Sequence, residues 1–244
     1  MNFNDYKKIS VGFDCVVLTS DIHEQENAHK APVRGLQTLL LKRNHEPFNG
    51  KWSIPGGLVE EDKELTPTIN GKLLSKINLP EDCYKEQLYT YGDNIERDPR
   101  GRVISISYIA LLGKESAAEL KAGKYGDIGW FWVFLDNKGE IRIINTETKE
   151  ELADLAFDHK TILRDALLRL RNKANYTNVA YHLMPEKFTM IELQNVFEEI
   201  NGKPIYSFRR FVGGKVKETG EYAEQRAHRP AMLFTFNGNL KEGT

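Results

Sequence analysis

The chain has 244 residues, well past the roughly 100 to 150 of one compact domain, so two cores are expected. Its 40% hydrophobic and 28% charged residues, with no low-complexity block, exclude a disordered or fibrous chain. The net charge of −1 excludes a strongly basic coat for nucleic acid; divided near Leu152, the front carries 20 basic and 24 acidic residues and the back 14 and 11, too small an asymmetry to argue for nucleic acid by itself.

Residues 9–20, 35–43, 86–93, 103–113 and 128–144 are rich in Val, Ile, Leu and aromatics and are broken by Gly, Asn, Asp and Pro clusters, which predicts strands. Cys15 lies inside the apolar run Val11 to Leu18, and Cys83 is the only other cysteine, so a disulfide framework is not expected and a reducing compartment is. That run is far shorter than the roughly 20 residues of a membrane span, and no cleavable signal pattern precedes it. The expected location is the cytoplasm, away from any membrane. Between the second and third strands, Thr66 is placed to cap a helix opening with Pro67, presenting Ile69, Leu73, Leu74 and Ile77 at helical spacing and ending before Pro80.

From about Glu150 the period changes to that of a helix, with Leu152, Leu155, Ile162, Leu163, Ala166, Leu167 and Leu170 on one stripe ending near Asn175. Thr189 is placed to cap a helix over Met190 to Ile200, and after Asn201-Gly202 the segment Pro204 to Val216 reads as a short helix carrying Arg209 and Arg210. Val216 to Thr219 and Ala231 to Phe236 read as a closing hairpin. Helix, turn, arginine-bearing helix and hairpin is the order of a winged helix-turn-helix, whose second helix enters the major groove. Tyr206, Ser207, Arg209 and Arg210 can donate to phosphates or a guanine edge, with Lys203 and Lys215 at the helix ends and Arg226 and Arg229 on the wing. An Arg-Arg pair on a surface helix is equally compatible with a solvated face. Phe208 and Phe211 have core-like spacing, and His228 reads as a loop residue.

The run Leu39-Leu40-Leu41-Lys42-Arg43, then Pro47, Gly50, Trp52 and Ile54-Pro55-Gly56-Gly57, resembles the entry to a Nudix domain. With the box G-x5-E-x7-R-E-U-x-E-E-x-G-U anchored on Gly57, Lys63 takes the first glutamate position. Gly71 and Lys72 replace the Arg-Glu pair, and Ser75 and Lys76 the metal-binding glutamates. Leu73 and Leu79 keep the apolar frame, while Asn78 replaces the closing glycine and shares its tolerance of left-handed backbone. Nudix hydrolysis needs a hard cation held by clustered carboxylates, and two lysines on that face repel one. Glu60, Glu61, Asp62 and Glu64 precede the helix without converging spacing. No catalytic residue, metal ligand or cofactor is therefore assigned.

A Nudix-like front with this box, a long helix beginning near Leu155-Ala156-Phe157-Asp158-His159, and a winged helix with Ser207-Phe208-Arg209-Arg210 together resemble the Nudix-related transcription regulators of the NrtR type over residues 9–237. Arg229 to Phe234 is similar to that family's closing strand. The resemblance implies an α+β chain: an N-terminal Nudix-like α/β/α sandwich with a mixed sheet at 1–150 and a C-terminal winged helix-turn-helix at 151–244. It implies a homodimeric regulator, in the repressor role, on a near-palindromic DNA operator. Its effector would be ADP-ribose, as in regulation of NAD metabolism, or a pentose sugar, as in arabinose-responsive relatives. For the effector pocket we nominate Arg43 as a cation for pyrophosphate, Phe48 and Trp52 as aromatic faces, and Lys72, Lys76 and Arg102, with Arg97 and Arg100 competing for phosphate. Trp52 can equally be core. Two other readings stay open: a Nudix hydrolase acting on ADP-ribose or another nucleoside diphosphate derivative, and a pair of protein-interaction modules.

Overall fold

The computed structural model describes residues 8–24, 33–123, 126–223 and 230–238. The front half runs β1 (Ser10–Glu24), β2 (Val33–Lys42), the short β3 (Trp52–Ser53) and β4 (Gly56–Leu58), and α1 (Leu65–Ile77). There follow β5 (Tyr84–Tyr91), β6 (Val103–Leu111), α2 (Lys114–Ala118), β7 (Ile128–Leu135) and β8 (Ile141–Asn145). The sheet order is β5-β6-β1-β2-β7-β8, with β1 parallel to β6 and antiparallel to β2. This is the mixed sheet that the resemblance implies, although the stretch 128–144 divides into two strands at the Asp136 turn, where the Lys138 and Glu140 N–H groups donate to the carboxylate.

Alternation along β1 sorts its side chains into two layers. Phe13, Cys15 and Val17 pack with Ile69, Leu73 and Ile77 of α1, while Val16 and Leu18 face a second core. That second core includes Ile162, Leu163, Ala166, Leu167 and Leu170 of α3 (His159–Ala174), which completes the α/β/α sandwich.

Two helix boundaries differ from expectation. The α1 helix starts at Leu65 with Glu64 as its N-cap, not at a Thr66 cap, because Pro67 within the first turn lacks only an N–H that has no intrahelical partner there. Its end is as anticipated: Asn78 adopts φ 58° and its N–H bonds to the Leu74 carbonyl. The α3 helix begins at His159, within the stretch Leu155 to His159 given for its start, and not near Glu150 where the helical period sets in. Leu152 N–H instead bonds to Ile143 O, and Phe157 has φ 56°, outside helical geometry.

After a 3₁₀ turn at Val179–Leu183 come β9 (Phe188–Thr189), α4 (Met190–Asn201), α5 (Phe208–Val212), β10 (Val216–Tyr222) and β11 (Met232–Phe236), with the strands ordered β10-β11-β9. Thr189 caps α4 in a full capping box with Glu192, and Gly202 ends it at φ 67°. The α5 helix is shorter than the expected Pro204 to Val216 span, since Ser207 (φ 56°) and Gly213 (φ 52°) bound it.

The two halves share a core. The α3 helix packs against β1, β5 and β7 on one side and α4 on the other, and α4 also packs against β2. Arg34 of β2, 5% exposed, reaches Glu192 of the capping box at 3.2 Å. From α3, Arg171 donates to Ile200 O at 2.9 Å and Leu135 O at 2.7 Å, satisfying carbonyls at the α4 terminus and the end of β7.

Two glycines provide a stability test. A Cβ on Gly56 would lie 2.4 Å from Phe13 O and 2.6 Å from Asp14 Oδ1, whereas one on Gly71, within α1, meets nothing within 4 Å. In urea unfolding, Gly56→Ala is expected to destabilise by about 1–3 kcal/mol and Gly71→Ala to stabilise by about 1 kcal/mol.

Candidate functional site

The sheet opens where β1 and β2 part. At one end they pair from Leu18/Thr38 to Glu24/Val33, but at the other β2 pairs with β3 and β1 pairs with β4. The segment from Trp52 to Leu58 crosses the gap, with Cys15 N–H bonded to Pro55 O at 2.8 Å. Between this segment, α1, the 97–105 region and the start of α3 lies a cleft of about 670 Å³, a size suited to a nucleotide-sized ligand.

Its floor is a buried polar network. Asp14, a carboxylate within the apolar run Val11 to Leu18, accepts from Ser105 Oγ at 2.5 Å and lies 3.6 Å from Arg97 and 3.3 Å from His159 Nε2. His159 Nδ1 accepts the Ile54 N–H at 2.8 Å, which puts the ring proton on Nε2, facing Asp14. Burial opposes ionisation of Asp14, but His159, Ser105 and Arg97 together hold its carboxyl below the ordinary range. Arg97 also makes a forked pair with Asp158, at 2.7 and 2.8 Å. The floor thus fixes the first residue of α3 and the one before it.

One wall is α1. Lys72 donates to Leu58 O at 2.8 Å and pairs with Glu60 at 3.1 Å; Lys76 donates to Gly56 O. Burial, with Lys72 and Arg43 nearby, brings the Lys76 ammonium down to about 8, against a small opposing pull from Asp14. The other wall is Phe157, whose ring has the guanidinium carbons of Arg43 at 4.8 Å and Arg100 at 5.5 Å.

Of the nominated residues, Arg43, Lys72 and Lys76 line this cleft, as do Arg97 and Arg100. Phe48, Trp52 and Arg102 do not. Phe48 packs edge-on against the Phe157 ring, and Trp52 packs edge-on against Phe131 at 4.8 Å, in the core role that was its alternative. Arg102 lies beyond the lining, its backbone carbonyl accepting from Ser10 N–H. The sequence reading missed Asp14, Ser105, Phe157 and His159. A lone Asp in the run Val11 to Leu18 is a signal that a buried partner must exist; Phe157 and His159 carried no such mark.

A Nudix box implies a divalent cation, and these residues do not fit one. Glu60 is committed to Lys63 and Lys72, ammonium groups replace carboxylates on α1, and among the described residues no three His, Cys, Asp or Glu side chains converge to hold a metal ion.

On the second unit, Lys203, Tyr206, Ser207, Arg209, Arg210 and Lys215 are all exposed, and Tyr206 is 89% exposed. Ser207, Arg209 and Arg210 share a shallow depression with Met190, Ile191 and Gln194 of α4. Phe208 is buried as expected. Phe211 is 37% exposed, though its ring still packs on Phe197 and Phe208. Arg226, His228 and Arg229 lie outside the described residues. Among the described residues no helix is long and apolar enough to cross a membrane.

The depressed Lys76 value makes a stability prediction. Below about pH 8 the ammonium is charged both folded and unfolded, and its burial cost is complete. Between about 8 and 10.5 the unfolded chain binds more protons than the folded one, so stability rises with pH. Lys76→Met is therefore expected to raise stability at pH 7 by on the order of 1–2 kcal/mol, the gain fading toward pH 10.5. Urea midpoints measured across that range check it.

Comparison with known proteins adds to the geometry. Residues 180–236 match the family described as the NrtR DNA-binding winged helix domain. The chain is 35% identical over 208 residues to the ADPR responsive transcriptional repressor NtrR of Acinetobacter baylyi, covering 82% of this chain and 76% of that one. It is 30% identical over 162 residues to an ADP-ribose pyrophosphatase of Methanocaldococcus jannaschii, covering 66% of this chain and 78% of the enzyme. The crystal structure of Shewanella oneidensis NrtR complexed with a 27mer DNA matches with a TM-score of 0.67 and 32% identity over 93% of each chain. The likeness to the enzyme takes in 66% of the chain, whereas the likenesses to the two regulators take in 82% and 93% of it. The chain belongs to the NrtR family of Nudix-related transcription regulators.

Proposed function

We propose that the protein is a transcriptional repressor whose Nudix-like unit, the front half completed by α3, receives ADP-ribose and whose winged helix unit, residues 180–236, releases DNA in response, without hydrolysing the effector. The observation that carries this reading is the cleft itself: seven basic against three acidic lining residues, with the first residue of α3 in its floor. Such a surplus suits an anionic diphosphate and has no use for a neutral pentose. The name of the Acinetobacter baylyi relative, an ADP-ribose-responsive repressor, supports the effector, and the DNA complex of the Shewanella oneidensis protein supports the partner. The Methanocaldococcus jannaschii relative favours the alternative of a hydrolase, but the lysines on α1 speak against the metal which that chemistry requires.

A recognition helix of five residues reaches few base edges. A homodimer on a near-palindromic operator would double the contacts, with half-sites one helical turn apart or a multiple of it. We place this action in the cytoplasm.

The signal would pass through α3. Phe157, held at φ 56° with Arg43 and Arg100 against its ring, immediately precedes Asp158 and His159, and α3 packs on α4. An anion that draws both arginines inward changes the support of Phe157 and so the start of the helix.

In a mobility-shift titration on the upstream region of its own gene, ADP-ribose is expected to release the protein, while NAD, arabinose and xylose leave it bound. Replacing Arg209 and Arg210 together by Ala should weaken operator binding about 10-fold or more and flatten its salt dependence. Indifference to both changes would favour a protein-interaction role, and magnesium-driven cleavage of ADP-ribose would favour the hydrolase. Phe157→Ala should still bind DNA and ADP-ribose, yet need a higher ADP-ribose concentration for release; an unchanged release curve rejects this route.

A further inference from the structure

The reading of the cleft as the ADP-ribose site leaves open how a diphosphate is held on a scaffold whose relatives use a metal ion. We propose that Lys72 and Lys76, with Arg43, hold the diphosphate directly, so that effector binding requires no divalent cation.

Lys72 and Lys76 stand four residues apart, on one face of α1. Each is anchored to a carbonyl of β4: Lys76 to Gly56 and Lys72 to Leu58. Those carbonyls are two residues apart on a strand, roughly 7 Å, so the ammonium groups are spaced to flank a diphosphate from two sides. An ammonium carries three donors and is able to direct them at phosphate oxygens as well as at a carbonyl. Across the cleft, Arg43 spends its Nε on Pro47 O at 2.7 Å, while its buried Nη2 has no hydrogen-bond partner. A buried guanidinium N–H without an acceptor costs free energy that an incoming phosphate oxygen would recover.

The same charges exclude the metal. A divalent ion placed to bridge phosphates on this wall would sit beside two ammonium groups, with Glu60 already shared between Lys63 and Lys72. A diphosphate, by contrast, relieves the mutual repulsion of Lys72, Lys76 and Arg43, which already disfavours the charged form of Lys76.

Calorimetric titration of the full chain with ADP-ribose, in excess EDTA and in excess magnesium, tests this. The expected result is one Kd within about twofold in both buffers, with Lys76→Met and Lys72→Met each weakening binding about 10-fold or more in EDTA. Lys76→Gln replaces the methionine variant if urea unfolding shows that variant to be misfolded. Binding that appears only with magnesium overturns the direct contact while leaving ADP-ribose as the effector. Affinity unchanged by both substitutions likewise overturns it. Absence of binding in either buffer overturns the effector reading as well.

Discussion

One short stretch of backbone, Ile54 to Leu58, holds the site together. Its Ile54 N–H goes to His159, its Pro55 carbonyl to Cys15, its Gly56 carbonyl to Lys76 and its Leu58 carbonyl to Lys72. Backbone groups are obligatory hydrogen-bonding partners, so a segment crossing a gap in a sheet must satisfy them with whatever surrounds it. Here the surroundings are β1 on one side, α1 on another and the start of α3 on a third. The approach to β1 is so close that Gly56 has no room for a side chain. The cleft exists because this segment separates the ends of β1 and β2 without breaking their pairing at the other end.

The polar groups around that segment are costly as well as useful. Asp14 and Arg97 are each less than a tenth exposed, and ionised groups survive such burial only when paired and hydrogen-bonded. Asp14 is supported from three directions and Arg97 is divided between two carboxylates. Lys76 differs: it donates to a neutral carbonyl, and the charged groups that act on it most are of its own sign. The floor is therefore electrostatically closed, whereas the α1 wall retains an unbalanced positive potential that a guest anion can neutralise.

A cleft can influence a distant DNA-binding surface only through elements with packed partners at both ends. The α3 helix meets this condition, because its first turn contributes to the cleft floor and its apolar stripe is shared between the sheet and α4. Arg34 and Arg171 add direct polar ties, the first to the N-terminal cap of α4 and the second to its C-terminal carbonyls. At both ends α4 is thus held to other elements, to β2 through Arg34 and to α3 through Arg171. The exposed arginines of α5 are then positioned through Phe208, whose ring is buried against Phe197 of α4.

Local chemistry explains what was readable from the residues. Strand alternation, the Thr189 capping box, the left-handed turn at Asn78 and the closing hairpin are short-range consequences of side-chain type and spacing. The lysines in place of glutamates were visible for the same reason, since a motif position has a fixed register. The start of α3 was readable only to within the stretch Leu155 to His159: the apolar spacing of Leu152 and Leu155 imitates an earlier helix, but pairing with the edge strand and the left-handed Phe157 overrode it. The cleft partners of Arg43 and Lys76 were not readable, because which of several basic residues meet depends on where β1 and β2 diverge. The sequence by itself determined the elements and the sign of the charge on α1. Only the tertiary structure decided that Asp14, His159, Phe157 and the two lysines face one space, because contacts between residues up to 145 apart in the chain follow from sheet order and core packing, not from any local preference.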